Sequence, residues 1–272
     1  GRGRPWTKEG RKGHTFSRDF YQTLKWYKLK KMGRFEQKAW NLDQEIVSKV
    51  SKDFQTLIEV ALSEVDKTER DLDNPDIIIY EYLNNYNPKI ISEYTAADYL
   101  FQNITNRKIS NVLDFGSGIA RQSFQWSDKV NFISVDAIES LYLLQNRIYS
   151  ILFPERLKEY FANPDSFEVN LDKANNNLFH LPTWKLDLIP DNSLDLIICV
   201  QVLNEIDEKT VRYVINQFKR IAKKDCVLYV RDSEGSHEPA LNIRVGRLLL
   251  EEGFEVVYRY QGLQTDLEGT PR

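Results

Sequence analysis

The chain is poor in sulfur and imidazole, with two cysteines, one methionine and three histidines among 272 residues. Two cysteines cannot build a disulfide-dense secreted scaffold. Cys199 and Cys226 both lie in apolar, strand-like runs, where a free thiol behaves as a small hydrophobe. No apolar run reaches the roughly 20 residues that a membrane-spanning helix requires. The longest candidate, 194–203, is interrupted by Asp195 and Gln201. No internal repeat or low-complexity tract is present, and no ligand spacing demands a metal. The first residues carry no apolar stretch of a secretory signal, and the chain starts on Gly1 rather than Met, as expected of a processed or excised piece. Together these features lead us to expect a reducing, cytoplasmic setting.

What is present is ordinary globular material. A composition of 42% hydrophobic, 12% aromatic and 28% charged residues excludes wholesale disorder, collagen and coiled coil. The net charge of -3 conceals a split. Residues 1–40 carry twelve Lys/Arg against three acids, and the rest of the chain is correspondingly acidic. Such an arm either packs on the acidic remainder or meets a polyanion, nucleic acid or a membrane surface. Interleaved rings, among them Trp6, Phe16, Phe20, Trp26 and Trp40, favour docking over free disorder.

Hydrophobic spacing organises the remainder. Ile46, Val50, Phe54, Leu57, Ile58, Ala61, Leu62 and Val65 recur at helical intervals and predict a helix over 43–70. A tyrosine-rich helical region follows over 76–104 and breaks near Asn87-Pro88. Strand-like runs then alternate with amphipathic helices, which predicts a parallel sheet with crossover helices. The strands are expected at 111–115, 132–136, 178–181, 194–200, 226–230 and 254–260. Asp207 is expected to cap one helix and Gly253 to end another. The domain reading is a basic, aromatic arm at 1–42, a helical extension that caps an acceptor site at 43–108, and an α/β domain at 109–272.

The sharpest local signal is the segment Asp114-Phe-Gly116-Ser117-Gly118-Ile-Ala120 between a predicted strand and helix. Glycines there let a ligand approach the backbone, and the following N–H groups can meet a carboxylate. Asp136 ends the next strand, where an acid can accept both ribose hydroxyls of an adenosine. Asp114 can pair with an ammonium. NAD has none, and its fingerprint has a third glycine where this chain has Arg121.

On these residues the chain resembles the class I S-adenosylmethionine-dependent methyltransferases. The likeness extends over 109–260, through 112–118, Asp136 and the block Asp187-Leu-Ile-Pro-Asp-Asn-Ser-Leu-Asp-Leu-Ile-Ile-Cys199. The segment Val202-Leu-Asn-Glu-Ile206 stands where the family commonly has Leu-Glu-His. Within the superfamily, 183–187 and 267–272 resemble bacterial sugar O-methyltransferases. No Asn/Asp-Pro-Pro-Tyr motif is present, so the resemblance does not point to adenine or glutamine amides.

The resemblance implies a Rossmann-like α/β sheet with flanking helices and a helical N-terminal extension, and S-adenosyl-L-methionine as cofactor. Asp114, Gly116, Ser117 and Gly118 would hold its methionine end and Asp136 its ribose. Ala137 with Ile138, and Trp184 or Leu186, would lie along the adenine, and Gln201 near the sulfonium. The implied function is O-methylation of a carbohydrate or polysaccharide hydroxyl, on a small-molecule or polysaccharide acceptor; the alternatives are a nucleic-acid methyltransferase using the basic arm and a non-catalytic methyltransferase-like binding module. A sugar hydroxyl needs a general base. His237, in a loop leaving the carboxyl end of a strand, is the first choice, with Asp232 and Glu205 as competing carboxylates; Glu234 stands beside them. The family's closing hairpin is expected to be truncated, because few residues follow Tyr260.

Overall fold

A computed structural model describes residues 44–64, 76, 79–80, 88–126, 129–172, 176–231 and 244–257. Among the described residues, helices α1 (Gln44–Glu64) and α2 (Pro88–Gln102) precede β1 (Asn111–Phe115). Then follow α3 (Ser123–Trp126), β2 (Asn131–Asp136), α4 (Glu139–Leu152), β3 (Leu157–Glu159) and β4 (Leu178–Pro182). β5 (Leu194–Val200), α5 (Glu208–Ile221), β6 (Ala222–Arg231) and α6 (Val245–Glu251) complete the order. The six strands form one sheet in the order β3-β4-β2-β1-β5-β6, and every recorded pairing is parallel. This is the expected α/β, Rossmann-like sheet with flanking helices. The chain runs outward from β1 in one direction, then returns to lay β5 on its other side. In open α/β sheets ligands bind at such a reversal, outside the carboxyl ends of the strands, here β1 and β5.

The central strands are apolar throughout because both faces are covered. Val112, Phe132, Leu178, Leu196 and Ile198 face one layer, packed with Val47, Phe54 and Ile58 of α1 and Leu144 and Ile148 of α4. Leu113, Ile133, Phe179, Leu181, Ile197 and Cys199 face the other, against Val211, Val214, Ile215 and Phe218 of α5 and Leu248 of α6. The helices that precede β1 therefore supply part of one core layer. At the amino edge, Asp195 ties three strand starts together. It accepts from Ser110 N at 3.0 Å, Asn111 N at 2.9 Å and Lys223 Nζ at 2.7 Å.

Local chemistry sets the boundaries. Asp207 caps α5 by accepting from Thr210 N at 3.1 Å, as expected. Gly253, at φ +88°, ends α6: its N–H donates to Leu250 O and the Phe254 N–H to Leu249 O. This closure corrects the strand expected over 254–260. The Phe254 amide is spent on the helix end, residues 254–257 are not strand, and Val256 and Val257 are 59% and 70% exposed. Residues 258–260 and the expected truncated hairpin lie outside the described residues. So do the arm, 1–42, and residues 65–70 of the first predicted helix. β3 was not foreseen: Leu157-Lys158-Glu159 is three residues long and carries two charges, a common dress for a sheet-end strand. Neither cysteine is in a disulfide, and burial pushes the Cys226 thiol up to about 12.

One polar cluster joins α2 to this frame. Asp98 is 1% exposed and lies within 2.6 Å of Arg121 Nη2. Arg231, the last residue of β6, donates to it through Nε at 2.9 Å and Nη2 at 3.1 Å. Tyr229 Oη donates at 2.7 Å and Gln122 Nε2 at 3.1 Å. Burial acts to raise the Asp98 pKa, but the Arg231 and Arg121 guanidiniums and these hydrogen bonds outweigh it and hold the carboxyl well below the usual range. Replacing Asp98 with Ala would leave two half-buried guanidiniums without their counter-ion. We expect Asp98→Ala to lose about 3–5 kcal/mol in urea unfolding. A loss under about 1 kcal/mol would mean that the cluster does not hold the helix.

Candidate functional site

The candidate site is built where β1 stops. Phe115 is the last paired residue, and both Gly116 N and Ser117 N then turn to Val135 O, at 2.8 and 3.2 Å. The turn needs left-handed backbone at alternate positions: Gly116 has φ +76°, Gly118 +55° and Ala120 +64°. Gly116 is required on a second count. A Cβ there would stand 2.4 Å from Val202 Cγ2, so the loop after β5 already fills its space. Gly118 differs, because a Cβ there would meet nothing within 4 Å. Its open side suits the close approach of a ligand to the backbone.

Below the loop runs a buried relay of hydroxyls. Tyr149 Oη donates to Ser134 Oγ at 2.8 Å, Ser134 Oγ to Ser117 Oγ at 2.8 Å, and Ser117 Oγ to Asp114 O at 2.9 Å. The relay fixes the loop from beneath and consumes the Ser117 side chain, which therefore supports rather than reaches outward.

Two carboxylates flank the loop and are in different states of satisfaction. Asp136, 4% exposed, accepts from Gly118 N at 3.0 Å and Gln145 Nε2 at 2.8 Å on Oδ2, and from Ile138 N at 2.9 Å on Oδ1. Burial raises its pKa despite these donors. Asp114, 1% exposed, keeps Oδ2 without a hydrogen-bond partner. Burial is the main cause that lifts its carboxyl to about 7; the neighbouring Ser117 hydroxyl and Arg121 oppose the shift, and the charges of Asp136 and Asp98 add to it. Arg121 also keeps one nitrogen, Nη1, buried without a partner.

The structure brings Asp114, Gly116, Ser117, Gly118, Asp136 and Ala137 together at the carboxyl ends of β1 and β2. Ala137 is half-buried. Gln201 follows β5, has φ +59°, and directs its N–H to Arg231 O at 2.9 Å. Its neighbour Val202 touches Gly116, which puts the Gln201 turn against the same loop. Trp184 is 42% exposed on the 3-10 turn after β4, edge-on to Phe161 at 6.4 Å. Leu186, on the same turn, is 3% exposed and belongs to the core layer of α5. Glu205 is exposed on the 3-10 turn at 203–205. His237, Asp232 and Glu234 lie outside the described residues. Among the described residues no group of three or more His, Cys, Asp and Glu is placed to hold a metal ion, and no helix is long and apolar enough to cross a membrane.

Sequence reasoning missed Asp98, Arg121, Gln145 and Arg231. Arg121 was noted only as a missing glycine. Gln145 stands nine residues past Asp136, a spacing that puts it on the crossover helix. Asp98 is a single acid within an aromatic helix, with no local pattern to mark it.

No protein-family model matches the chain, and no curated protein matches it. Solved structures to which the chain is similar include YcgJ from Bacillus subtilis, at 20% identity over 53% of this chain and 53% of that one, with a TM-score of 0.37. Another is phosphoethanolamine N-methyltransferase 1 of Haemonchus contortus, in complex with phosphoethanolamine and S-adenosylhomocysteine. It is 14% identical over 72% of this chain and 36% of that one, with a TM-score of 0.38. A third, the cyclase SpnF, is 20% identical over 57% of this chain and 56% of that one, with a TM-score of 0.38. The likeness spans about half or less of each of these proteins, and the reading of the site rests on its own geometry.

The Asp114 carboxyl has a consequence for stability. Its folded pKa of about 7 lies above the ordinary carboxylate value, so the folded state holds the proton more tightly. Stability therefore falls as pH rises from about 4 to 7, and the cost is complete above 7. We expect Asp114→Asn to match the wild-type chain near pH 4 and to exceed it at pH 8 by up to ~4 kcal/mol. Thermal melts across this range check it; a variant less stable at pH 8 would contradict the assignment.

Proposed function

We propose that this chain is an S-adenosylmethionine-dependent methyltransferase. The single observation that carries the reading is the buried, unpartnered Asp114 Oδ2 at the entrance of a glycine loop that ends β1. A buried carboxylate oxygen without a donor is costly, and an ammonium is the partner that repays the cost. The α-amino group of S-adenosylmethionine supplies one, whereas NAD does not. The open side of Gly118 fits the approach of the same ligand to the backbone. At the other end, Asp136 already bonds Gly118, Gln145 and Ile138, so its hold on a ribose uses the lone pairs that these donors leave, with the Gly118 N–H kept in place.

When bound, the cofactor supplies a methyl group on a sulfonium, ready for in-line attack. The residues of this chain bind and orient. Asp114 takes the ammonium, Gly116 and Gly118 shape the loop, Asp136 serves the ribose, and Ala137 and Trp184 flank the adenine. Gln201 stands beside the reacting end. Leu186 contributes from behind, as core. The acceptor is a carbohydrate or polysaccharide hydroxyl, received under the helices of 43–108 and the basic arm of 1–42. His237 is the base, with Asp232 or Glu205 in its place if the base is a carboxylate.

Calorimetry tests the cofactor. S-adenosylhomocysteine is expected to bind and NAD not to bind. Because binding needs the ionised Asp114, the affinity for S-adenosylhomocysteine should weaken about tenfold from pH 8 to pH 6. Asp114→Asn should weaken it roughly 10- to 100-fold. An absence of S-adenosylhomocysteine binding at pH 8 would overturn the reading. Transfer of labelled methyl groups into fractions of cell extract identifies the acceptor. On that acceptor His237→Ala should lower turnover roughly 10²–10⁴-fold with S-adenosylhomocysteine affinity unchanged. If Asp232→Asn or Glu205→Gln has this effect instead, the base is a carboxylate.

A further inference from the structure

Gln145 of α4 spans from the glycine loop to β4 through its side-chain amide. Its Nε2 donates to Gly118 O at 2.7 Å and to Asp136 Oδ2 at 2.8 Å, while its Oε1 lies 3.0 Å from His180 Nε2. Turned over, the amide would set its oxygen against two acceptors, so this orientation is the one that the surroundings permit. His180 must then donate from Nε2. The neutral imidazole carries its hydrogen there, and Nδ1, which has no hydrogen-bond partner, is bare.

The imidazole is held so that it has no other choice. His180 is on β4 and 0% exposed. Its ring stacks on Tyr142 with centroids 3.7 Å apart and an interplanar angle of 12°, and meets Tyr149 edge-on at 5.2 Å. Tyr142 Oη is fixed in turn by Glu159 Oε1 at 2.6 Å. Desolvation depresses the His180 pKa to about 3, so the ring stays neutral at any working pH.

Gly118 is thereby clamped on both sides. Its N–H donates to Asp136 Oδ2 and its carbonyl accepts from Gln145, which also bonds that same carboxylate oxygen. The three groups form a closed ring of hydrogen bonds around Gly118, whose outer face is open.

We infer that His180 and Gln145 are positioning residues for the cofactor: through one oriented amide they lock Gly118 to Asp136 and so set the geometry of the ribose end of the site. The inference rests on the S-adenosylmethionine reading for the identity of the ligand, but the lock itself is a property of the chain alone.

The test uses the full chain with His180→Leu, His180→Gln and Gln145→Leu. Nitrogen NMR of the imidazole should show a neutral His180 with its hydrogen on Nε2. His180→Leu and Gln145→Leu should weaken S-adenosylhomocysteine about tenfold by calorimetry and leave the pH midpoint of binding near 7, because Asp114 sets it. His180→Gln, which can still donate to Gln145, should restore most of the affinity. Hydrogen exchange at the Gly118 amide should be slow in the wild-type chain and faster in both Leu variants. An imidazole with its hydrogen on Nδ1, or wild-type affinity in a folded Leu variant, would overturn the inference. If the Leu variants do not fold, the tautomer and the affinity of His180→Gln decide: the Nδ1 form, or no better binding than about tenfold below wild type, counts against it. If the wild-type chain fails to bind S-adenosylhomocysteine, the cofactor reading falls, and the tautomer and Gly118 exchange still decide whether the lock exists.

Discussion

The Asp98 carboxylate connects parts of the chain that local sequence does not connect. It sits on a helix that precedes the sheet, yet its partners come from the segment after the glycine loop and from the end of the sixth strand. Removing a carboxylate and two guanidiniums from water is costly, and only near-complete pairing repays it. The pairing is near-complete here, with five donors from Arg121, Arg231, Tyr229 and Gln122. A glutamine cluster extends the seam: Gln102 Nε2 donates to Gln122 at 3.0 Å, and Gln102 Oε1 accepts from Trp126 Nε1 at 2.6 Å. The position of the second helix over the sheet edge is thus specified by polar groups that have few alternative arrangements, while apolar packing supplies the adhesion.

Three buried acids within this small region show how the fold distributes satisfaction. Asp98 is saturated by cations and serves architecture. Asp136 is satisfied by neutral donors from the glycine loop, its own turn and α4, and ties these together. Asp114 alone retains an unspent oxygen. Burial is comparable in all three, so exposure does not separate them; the inventory of donors does. Of the three, only Asp114 keeps a buried oxygen to offer a donor from outside the fold.

The sheet was legible because its signals are local. Runs such as Leu194-Asp-Leu-Ile-Ile-Cys-Val200 can be little other than a central strand, and Asp207 and Gly253 mark helix ends by their own chemistry. The glycine loop and Asp136 were legible for the same reason: a strand end, a turn and an acid at a fixed distance. What was not legible depends on long-range pairing. Phe254 lies in an apolar run that reads as strand, but its amide is claimed by the preceding helix. Trp184 and Leu186 are two residues apart on one turn, and only tertiary packing decides that the leucine goes inward. His180 could be seen as a histidine beside a strand; that its ring addresses the loop through a glutamine on another element could not.

The contact between Gly116 and Val202 reaches further than a steric detail. Val202 leaves the fifth strand through Gln201, a residue in left-handed backbone, and its side chain lies where a Cβ of Gly116 would be. The loops on the two sides of the topological reversal are therefore geared to one another. A shift of either loop alone would open a void or drive valine into backbone, so packing couples the two loops sterically. A side chain at Gly116 could be admitted only by a smaller residue at Val202, so one position sets the volume that the other is allowed.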